Sequence, residues 1–390
     1  MKIVSLWESP TPYFTPILNE LSRLVDLHVI YMSRAHPLYG FTDHWGAAPE
    51  FDYTTHWSMP LKWRMTDLRA VVSCGVSLQL QRLDPDLVLV CSWTPLVLEP
   101  LLWARARHRR SLMWTESTQF SGLLRGRLSN ALRRLIVSRV DRFVSNGSMA
   151  TAYLESLDID PARVVTSRLP SPMFANPHDL VHGRESAAGG VRSPHFLFVG
   201  RLIPLKRPLE LLRSFASVLR ALPHARLTIV GDGVLLPDVV RAAQAYGERV
   251  SLLGHVEGDA LRAVYASADI LVFPSVRDVW GLVVNEALAH GLYVITTDHV
   301  GCAPDLLDEG SGRIVPAGDS AAFAEAMIAA GAHVDLDAGG RAARTRRVAG
   351  CTPAAFAADI CRAAQAAAGS RGQAVRRPGV GGIYGERPAS

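Results

Sequence analysis

The sequence predicts an α/β protein made of two doubly wound, Rossmann-like domains that face each other across a cleft. The chain has 390 residues, more than one core usually organises, and its 48% hydrophobic and 20% charged content is typical of globular proteins. In both halves, short runs rich in Val, Ile and Leu alternate with amphipathic stretches. Parallel sheets covered by helices on both faces produce this alternation. A polar stretch near the middle interrupts it once.

The first half is predicted to form an N-terminal Rossmann-like domain over residues 1–178. Its strand-like runs are "KIVSLW", "LHVIYM", "DLVLVCSW", "SLMWTE", "DRFVSNG" and "RVVTSRL", and helical stretches separate most of them. A Trp- and His-rich segment after the second run is expected to be irregular. Residues 179–194 are rich in Gly, Ser, Pro and charge, so they are predicted to link the two domains.

The second half is predicted to form a C-terminal Rossmann-like domain over residues 195–368. Its predicted strands are "HFLFVG", "ARLTIVGDG", "VSLLG", "DILVFPS", "YVITT" and "GRIVPAG", and an Ala-rich helix is expected to complete the domain. Residues 369–390 contain Gly, Arg and Pro but few apolar side chains, so this tail is expected to be disordered.

Composition and local patterns argue against several classes of protein. The five cysteines are scattered without a CxxC pair, which predicts neither a disulfide framework nor a zinc site and fits a reducing, cytoplasmic compartment. "MKIVSLWESPTP" lacks the apolar run of a signal peptide. "LVLVCSWTPLVLEPLLWA" is interrupted by Glu99 and prolines, which favours a buried strand and a helix over a membrane span.

Arginine is concentrated in the segment Arg125–Arg142 of a chain with net charge +5 and pI about 9.1. Leu, Ile and Val interleave with these arginines at helical spacing. Two interpretations are open: a solvated helix packed on a core, or a basic amphipathic surface on anionic lipid at the inner face of a membrane. Nucleic acid is not an expected partner, because no aromatic stacking residues accompany the arginines.

Polar residues follow two of the strands predicted for the second half. Gly200 ends "HFLFVG", and Arg201 and Lys206 occupy the following turn. Two cations beside a helix start can hold a diphosphate, although solvated loop cations are the simpler interpretation. His255 and Val256 follow "VSLLG", where the histidine is either a ligand contact or a capped loop residue.

The stretch "SVRDVWGLVVNEALAHG" carries two acids eight residues apart, Asp278 and Glu286. The helix is predicted to begin near Leu282, so Asp278 lies in the preceding loop and Glu286 about one turn inside the helix. Gly281 allows the backbone to approach a ligand closely. The two carboxylates can accept hydrogen bonds from sugar hydroxyls, or they can be ordinary charges near a helix start. The chain offers no metal-like His or acid spacing, so no metal is expected.

Taken together, these residues resemble the retaining GT-B glycosyltransferases of family 4. The resemblance covers roughly residues 195–318 and is carried by "VGRLIPLKRP", "IVGDG", "LLGHV", "YASADILVFPS", "WGLVVNEALAHG" and "YVITTDHVG" in the family's order. It implies a nucleotide-sugar donor and no cofactor. Its implied roles are diphosphate binding by Arg201 and Lys206 beside Gly200, ribose binding by Glu286, and contact with the base by His255 and Val256. The donor's sugar would be held by the Asp278 carboxylate together with the backbone of Val279, Trp280, Gly281 and Leu282.

The sequence departs from the family pattern in three places. Asp278 replaces the usual Glu, one methylene longer. "WESPTPYF" follows the first strand where a Gly-Gly loop is common, and "TES" follows "SLMW" where many members carry a His. Glu116 or Ser117 is therefore expected to face the acceptor.

The resemblance predicts retaining transfer of a sugar to an acceptor hydroxyl in surface polysaccharide or glycolipid assembly. The acceptor is either a lipid-linked or a soluble glycan. Two alternatives bind the same donor: a nucleotide-sugar-binding protein with weak catalysis, for which Asp278 is the supporting departure, and a sugar-nucleotide epimerase of the same fold. Donor turnover separates the three, as transfer, epimer formation or neither.

Overall fold

The computed structural model describes residues 1–11, 13–33, 48–56, 59–62, 69–72, 75–121, 127–171, 193–335 and 337–369. Within these ranges each half of the chain forms one extended parallel β-sheet, and helices connect most of the successive strands. The predicted doubly wound α/β architecture is therefore confirmed.

The first half contains strands β1–β9 and helices α1–α5. The strands are β1 (Lys2–Trp7), β2 (Asp26–Tyr31), β3 (Asp52–Thr55), β4 (Met59–Lys62), β5 (Arg69–Val72), β6 (Leu87–Val90), β7 (Arg110–Thr115), β8 (Arg142–Asn146) and β9 (Val164–Ser167). The helices are α1 (Thr15–Leu24), α2 (Val76–Leu83), α3 (Leu98–Ala106), α4 (Arg127–Val137) and α5 (Gly147–Glu155).

The N-terminal sheet has the strand order β3-β2-β1-β6-β7-β8-β9, and all neighbours are parallel. Its inner strands are continuous apolar runs, and all four residues of β6 are buried. Such runs fit a sheet that helices cover on both faces. The strand order reverses between β1 and β6, so a crevice is expected beyond the carboxyl ends of these two strands.

The second half contains strands β10–β15 and helices α6–α13. The strands are β10 (His195–Val199), β11 (Arg226–Val230), β12 (Val250–Gly254), β13 (Ile270–Phe273), β14 (Tyr293–Thr297) and β15 (Gly312–Val315). The helices are α6 (Pro208–Ala221), α7 (Leu236–Ala243), α8 (Gly258–Ser267), α9 (Leu282–Ala289), α10 (Ala303–Leu306), α11 (Ser320–His333), α12 (Ala338–Arg346) and α13 (Pro353–Gly369).

The C-terminal sheet has the order β12-β11-β10-β13-β14-β15, again with parallel neighbours. Its strand order reverses between β10 and β13. The turns that follow these two strands carry Arg201, Lys206 and Asp278, so the topology brings these residues to one crevice.

Helix α13 corrects the expected extent of the C-terminal domain, 195–368. It packs on α1 and on strands β7, β8 and β9 of the N-terminal sheet, and the ring centroid of Phe356 lies 4.5 Å from that of Trp114. The helix therefore belongs to the N-terminal domain by packing. Its apolar face predicts burial but does not say which sheet it covers.

The segment after β2 is also more regular than expected. Strand β3 joins the edge of the sheet beside β2, and β4 and β5 form an antiparallel hairpin. All four residues of β3 are exposed, so no apolar pattern in the sequence predicts this strand. Of the predicted linker 179–194, only Ser193 and Pro194 lie within the described residues. Of the predicted tail 369–390, only Gly369 does.

Candidate active site

The centre of the candidate site is an ion pair between the turns that follow β10 and β13. Lys206 Nζ lies 2.5 Å from Asp278 Oδ2, and the two side chains are 11% and 19% exposed. The same ammonium lies 4.9 Å from the ring centroid of Phe273. Asp278 Oδ1 accepts a bond from the backbone N–H of Trp280 at 3.3 Å. Both carboxylate oxygens of Asp278 are therefore engaged within the C-terminal domain.

The loop from Asp278 to Gly281 leads into α9 with a sharp turn. Gly281 has φ +94°, and a Cβ added there would lie 2.6 Å from Val300 Cγ1. Glycine fits this position because it tolerates positive φ and has no side chain to clash. The predicted helix start at Leu282 is confirmed. The first amides of a helix have no partner inside the helix, so this end favours an anion.

Glu286 lies inside α9 and is almost completely buried, with 8% exposure. The hydroxyl of Tyr265 donates to Glu286 Oε2 at 2.7 Å, and the hydroxyl of Ser171 donates to Oε1 at 3.0 Å. Burial raises the pKa of Glu286 to about 7, and the two hydroxyl bonds oppose this rise because they stabilise the charged form. Glu286 can therefore change charge near neutral pH.

The N-terminal domain adds two acids at the carboxyl ends of its strands. Glu8 follows β1, and its Oε1 accepts a bond from the hydroxyl of Ser92 at 2.9 Å. Glu116 follows β7 and is partly buried. Burial, with the negative charges of Asp278 and Glu8, raises the pKa of Glu116 to about 7. The interaction with Asp278 means that this edge of the N-terminal sheet faces the centre of the C-terminal site.

Contacts between the domains surround these acids. The ring of Phe120 stacks on His299 at 3.7 Å between centroids, and the backbone oxygen of His299 accepts the N–H of Asp278 at 3.1 Å. At the start of α5, Asp305 Oδ2 accepts bonds from the backbone N–H and the hydroxyl of Ser148 at 2.9 and 3.1 Å. A carboxylate at a helix N-terminus is favourable for electrostatic reasons.

The side chain of the predicted donor residue Trp280 lies at the interface between the two domains. Its side chain is 1% exposed, and its indole N–H donates to Asn285 Oδ1 at 2.9 Å. Asn285 in turn donates to the backbone oxygen of Leu169 in the N-terminal domain at 3.0 Å. A Cβ at Gly147 would lie 2.6 Å from the Trp280 ring. The indole therefore packs the domain interface, and the expected contact between the Trp280 backbone and the donor's sugar stays a prediction.

The remaining predicted residues lie at the rim or in the walls of the site. Arg201 and His255 are exposed, and His255 Nε2 lies 3.6 Å from the carboxylate of Glu257. Val256 is half-buried against the core of the C-terminal domain. Ser117 lies beside Glu116, and its backbone N–H donates to Thr115 Oγ1 at 3.1 Å. The half-buried residues Gly200, Val279 and Leu282 lie in the turns described above.

Three residues of the site were not predicted from the sequence. Tyr265 and Ser171 bind Glu286 from distant parts of the chain, and Glu8 lies beside Glu116. The available signals were the tyrosine in "YASAD" and the position of Glu8 directly after the first strand, where strand-end residues line a crevice. Ser171 carried no such signal.

The basic segment Arg125–Arg142 is partly described, since Arg125 lies outside the described residues. The apolar side of α4 packs into the N-terminal core through Ile136 and Val137. On the other side, the Arg134 side chain is 63% exposed, with Nη2 3.5 Å from Asp158. In the described part of the chain, no helix combines the length and hydropathy needed to cross a membrane. No group of three metal-binding side chains occurs within the described ranges.

Comparisons with known proteins find glycosyltransferases among the proteins that are similar to this chain. The profile of the family "Glycosyl transferases group 1" matches residues 193–332. D-inositol 3-phosphate glycosyltransferase of Nocardia farcinica is 30% identical over 204 residues, which are 49% of this chain and 45% of that protein. The chain thus spans less than half the length of this curated relative.

Two solved structures are similar over nearly the whole chain. The apo form of the lipopolysaccharide outer core galactosyltransferase WaaB has a TM-score of 0.69 at 15% identity, covering 94% of this chain and 99% of that one. HepE of Anabaena in complex with UDP has a TM-score of 0.69 at 14% identity, covering 94% of this chain and all of that one. The chain therefore has the GT-B fold, and its residues 193–332 are similar to the group 1 glycosyl transferases.

Proposed function

We propose that this protein is a retaining glycosyltransferase that moves a sugar from a nucleoside-diphosphate sugar to an acceptor hydroxyl. The observation that carries the proposal is the meeting of Lys206, Asp278 and the start of α9 at the switch point of the sheet in the family-matched half. The structural relative HepE was solved in complex with UDP, which supports a nucleotide-linked donor.

In this proposal, the cationic side chains and the helix-start amides of the site stabilise the leaving diphosphate. Negative charge develops on the diphosphate as the bond to the sugar breaks. Lys206, with Arg201 at the rim and the amides at the start of α9, would stabilise that charge, which lowers the barrier. Glu286 would accept hydrogen bonds from the ribose hydroxyls, and the residues around Val256 would flank the base.

The acceptor is proposed to be a glycan, either lipid-linked or soluble, used in surface polysaccharide or glycolipid assembly. The structural relative WaaB is a galactosyltransferase of the lipopolysaccharide outer core, which supports the lipid-linked form. The exposed arginine side of α4 would then contact anionic lipid at the inner face of a membrane. Reversing the charge of Arg133 and Arg134 should abolish binding to anionic liposomes, and unchanged binding would refute this contact.

A panel of UDP-, GDP-, ADP- and dTDP-linked sugars tests the proposed function. We expect one donor to be hydrolysed slowly without any acceptor, and Lys206→Ala to lower that rate by about 10²–10³. Arg213→Ala is the matched control, because Arg213 is an exposed cation of α6 outside the site. Neither binding nor turnover across the panel would reject the proposal. Binding without turnover would favour the nucleotide-sugar-binding protein.

A further inference from the structure

The two oxygens of the Glu286 carboxylate are held from different halves of the chain. Oε2 accepts a bond from the hydroxyl of Tyr265 at 2.7 Å, and Oε1 accepts a bond from the hydroxyl of Ser171 at 3.0 Å. Tyr265 belongs to α8 in the second half, whereas Ser171 lies beyond β9 in the first half. Both donors are buried, with 0% and 2% exposure. A ligand that binds this carboxylate must therefore share it with, or take it from, one of these two hydroxyls.

Tyr265 is held rigidly beside Glu286. Its ring lies in the buried core and is nearly parallel to the His290 ring, with 5.2 Å between the centroids and 13° between the planes. His290 directly follows α9, and its Nδ1 lies 2.9 Å from the backbone oxygen of Glu286. Burial and the negative charge of Glu286 raise the pKa of Tyr265 well above its ordinary value, so the hydroxyl keeps its proton and stays a donor.

The bond from Ser171 is easier to replace than the bond from Tyr265. A serine hydroxyl leaves its acceptor by rotation about a single side-chain torsion, between staggered positions. The tyrosine hydroxyl moves only with its ring, and moving a fully buried ring leaves a cavity that costs stability. Oε1 of Glu286 is therefore the oxygen that can exchange its partner, and Oε2 is the oxygen that keeps it.

We propose that Tyr265 is a positioning residue, which holds Glu286 Oε2 in place while a ribose hydroxyl of the donor replaces Ser171 at Oε1. This inference rests on the proposed function, in which Glu286 binds the ribose. The tyrosine acts through Glu286 and does not itself touch the donor. Its bond also stabilises the ionised carboxylate, which is a stronger acceptor for a sugar hydroxyl than the protonated form.

Two nucleotides that differ only in the ribose test this assignment. The probes are UDP and 2′,3′-dideoxy-UDP, because the structural relative HepE was solved with UDP. The measured quantity is the ratio of the dissociation constant of the dideoxy nucleotide to that of UDP, obtained by calorimetry at pH 8.5. This pH lies above the Glu286 pKa of about 7. Base and diphosphate are common to both probes, so a general structural defect changes both constants alike and leaves the ratio unchanged.

The two hydroxyl donors should give opposite results. Tyr265→Phe keeps the buried ring but loses the hydroxyl, and it should lower the ratio about tenfold, the scale of one hydrogen bond to a charged group. Ser171→Ala should raise the ratio about two- to tenfold, because the ribose no longer competes with the serine. Tyr246→Phe is the matched control, since it removes a tyrosine hydroxyl that donates to the backbone oxygen of Leu212 at 2.7 Å, away from the site.

Three results would overturn the inference. A ratio near one in the wild type would mean that there is no ribose contact to position. An unchanged ratio in Tyr265→Phe would mean that the tyrosine does not support that contact. A lowered ratio in Ser171→Ala would mean that the serine assists the ribose and is not replaced by it, and this variant carries the test if Tyr265→Phe does not fold. A wild-type protein that binds neither nucleotide nor any donor of the panel would reject the proposed function itself.

Discussion

Replacing the buried carboxylate Glu286 by glutamine should make the protein more stable at alkaline pH while weakening donor binding. The side chain is 8% exposed, and its two oxygens accept bonds from Tyr265 and Ser171. Glutamine has almost the same shape and retains one carbonyl acceptor. Its amide can donate to a hydroxyl that reverses its own bond. The substitution therefore removes the charge without opening a cavity.

The size of the effect follows from the pKa of Glu286, which burial raises from 4.5 to about 7. A carboxyl with a raised pKa holds its proton more tightly in the folded state. The protonated carboxyl therefore contributes fully to the stability of the folded state below pH 4.5, the pKa in the unfolded chain. This contribution is lost as the pH rises through about 7, the pKa in the folded state. At about 1.4 kcal/mol per pKa unit, the free energy of unfolding of the wild type should fall by roughly 2–3 kcal/mol between pH 5 and pH 8.5 because of Glu286. The glutamine variant lacks this titrating group, so it should not show this loss.

Urea denaturation of both proteins at pH 5 and pH 8.5 measures this difference. The variant should gain roughly 2–3 kcal/mol on the wild type between the two pH values. Its affinity for the donor should fall about tenfold or more, because a carboxylate acceptor for the ribose hydroxyls is gone. Glu325→Gln, an exposed acid of α11, is the control and should follow the wild type at both pH values. A Glu286→Gln variant that also follows the wild type would refute a buried, titrating carboxylate.

Three further substitutions or deletions probe the backbone, the domain packing and the central ion pair. Gly281→Ala should lower the free energy of unfolding, measured in urea, by more than about 1 kcal/mol. Gly258→Ala is the control and should cost less, because its φ is also positive but its added Cβ meets nothing within 4 Å. Equal losses in the two variants would contradict the clash at Gly281. Deleting the chain from residue 353 onward should expose the N-terminal sheet to limited proteolysis, and unchanged cleavage there would contradict the packing of α13. Lys206→Ala should cost about 1–3 kcal/mol by leaving Asp278 unpaired. Adding Asp278→Asn should restore most of that stability, and no recovery would mean that the pair is not the cause.

Apart from β3, the strands of both sheets could be predicted from the sequence. Buried parallel strands appear as continuous apolar runs, and the polar residues just beyond them gather at one edge of the sheet. From the sequence alone, these rules bring Lys206 and Asp278 near each other and begin α9 at Leu282, as the structure has them.

The partners of these residues could not be predicted in the same way. Lys206 and Asp278 are 72 residues apart, and Ser171 and Glu286 are 115 apart, so their contacts arise only from the packing of the sheets. The sequence also does not predict whether the Trp280 indole faces a ligand or the other domain. Helix α13 shows the same limit, because an apolar helical face does not identify the sheet it covers.

Two of the groups assigned to the donor are already bonded to protein groups. Lys206 holds Asp278, and Glu286 holds Tyr265 and Ser171. A buried charge without a partner is strongly unfavourable, so such internal partners stabilise the site when no donor is bound. A diphosphate must then compete with Asp278 for Lys206, and a ribose must compete with Ser171 for Glu286. Because Ser171 lies beyond β9 in the first half of the chain and Glu286 lies in the second, the second exchange would alter a contact between the domains. Under the proposed function, donor affinity would therefore depend on how readily the domains give up that contact, as well as on the contacts that the donor gains.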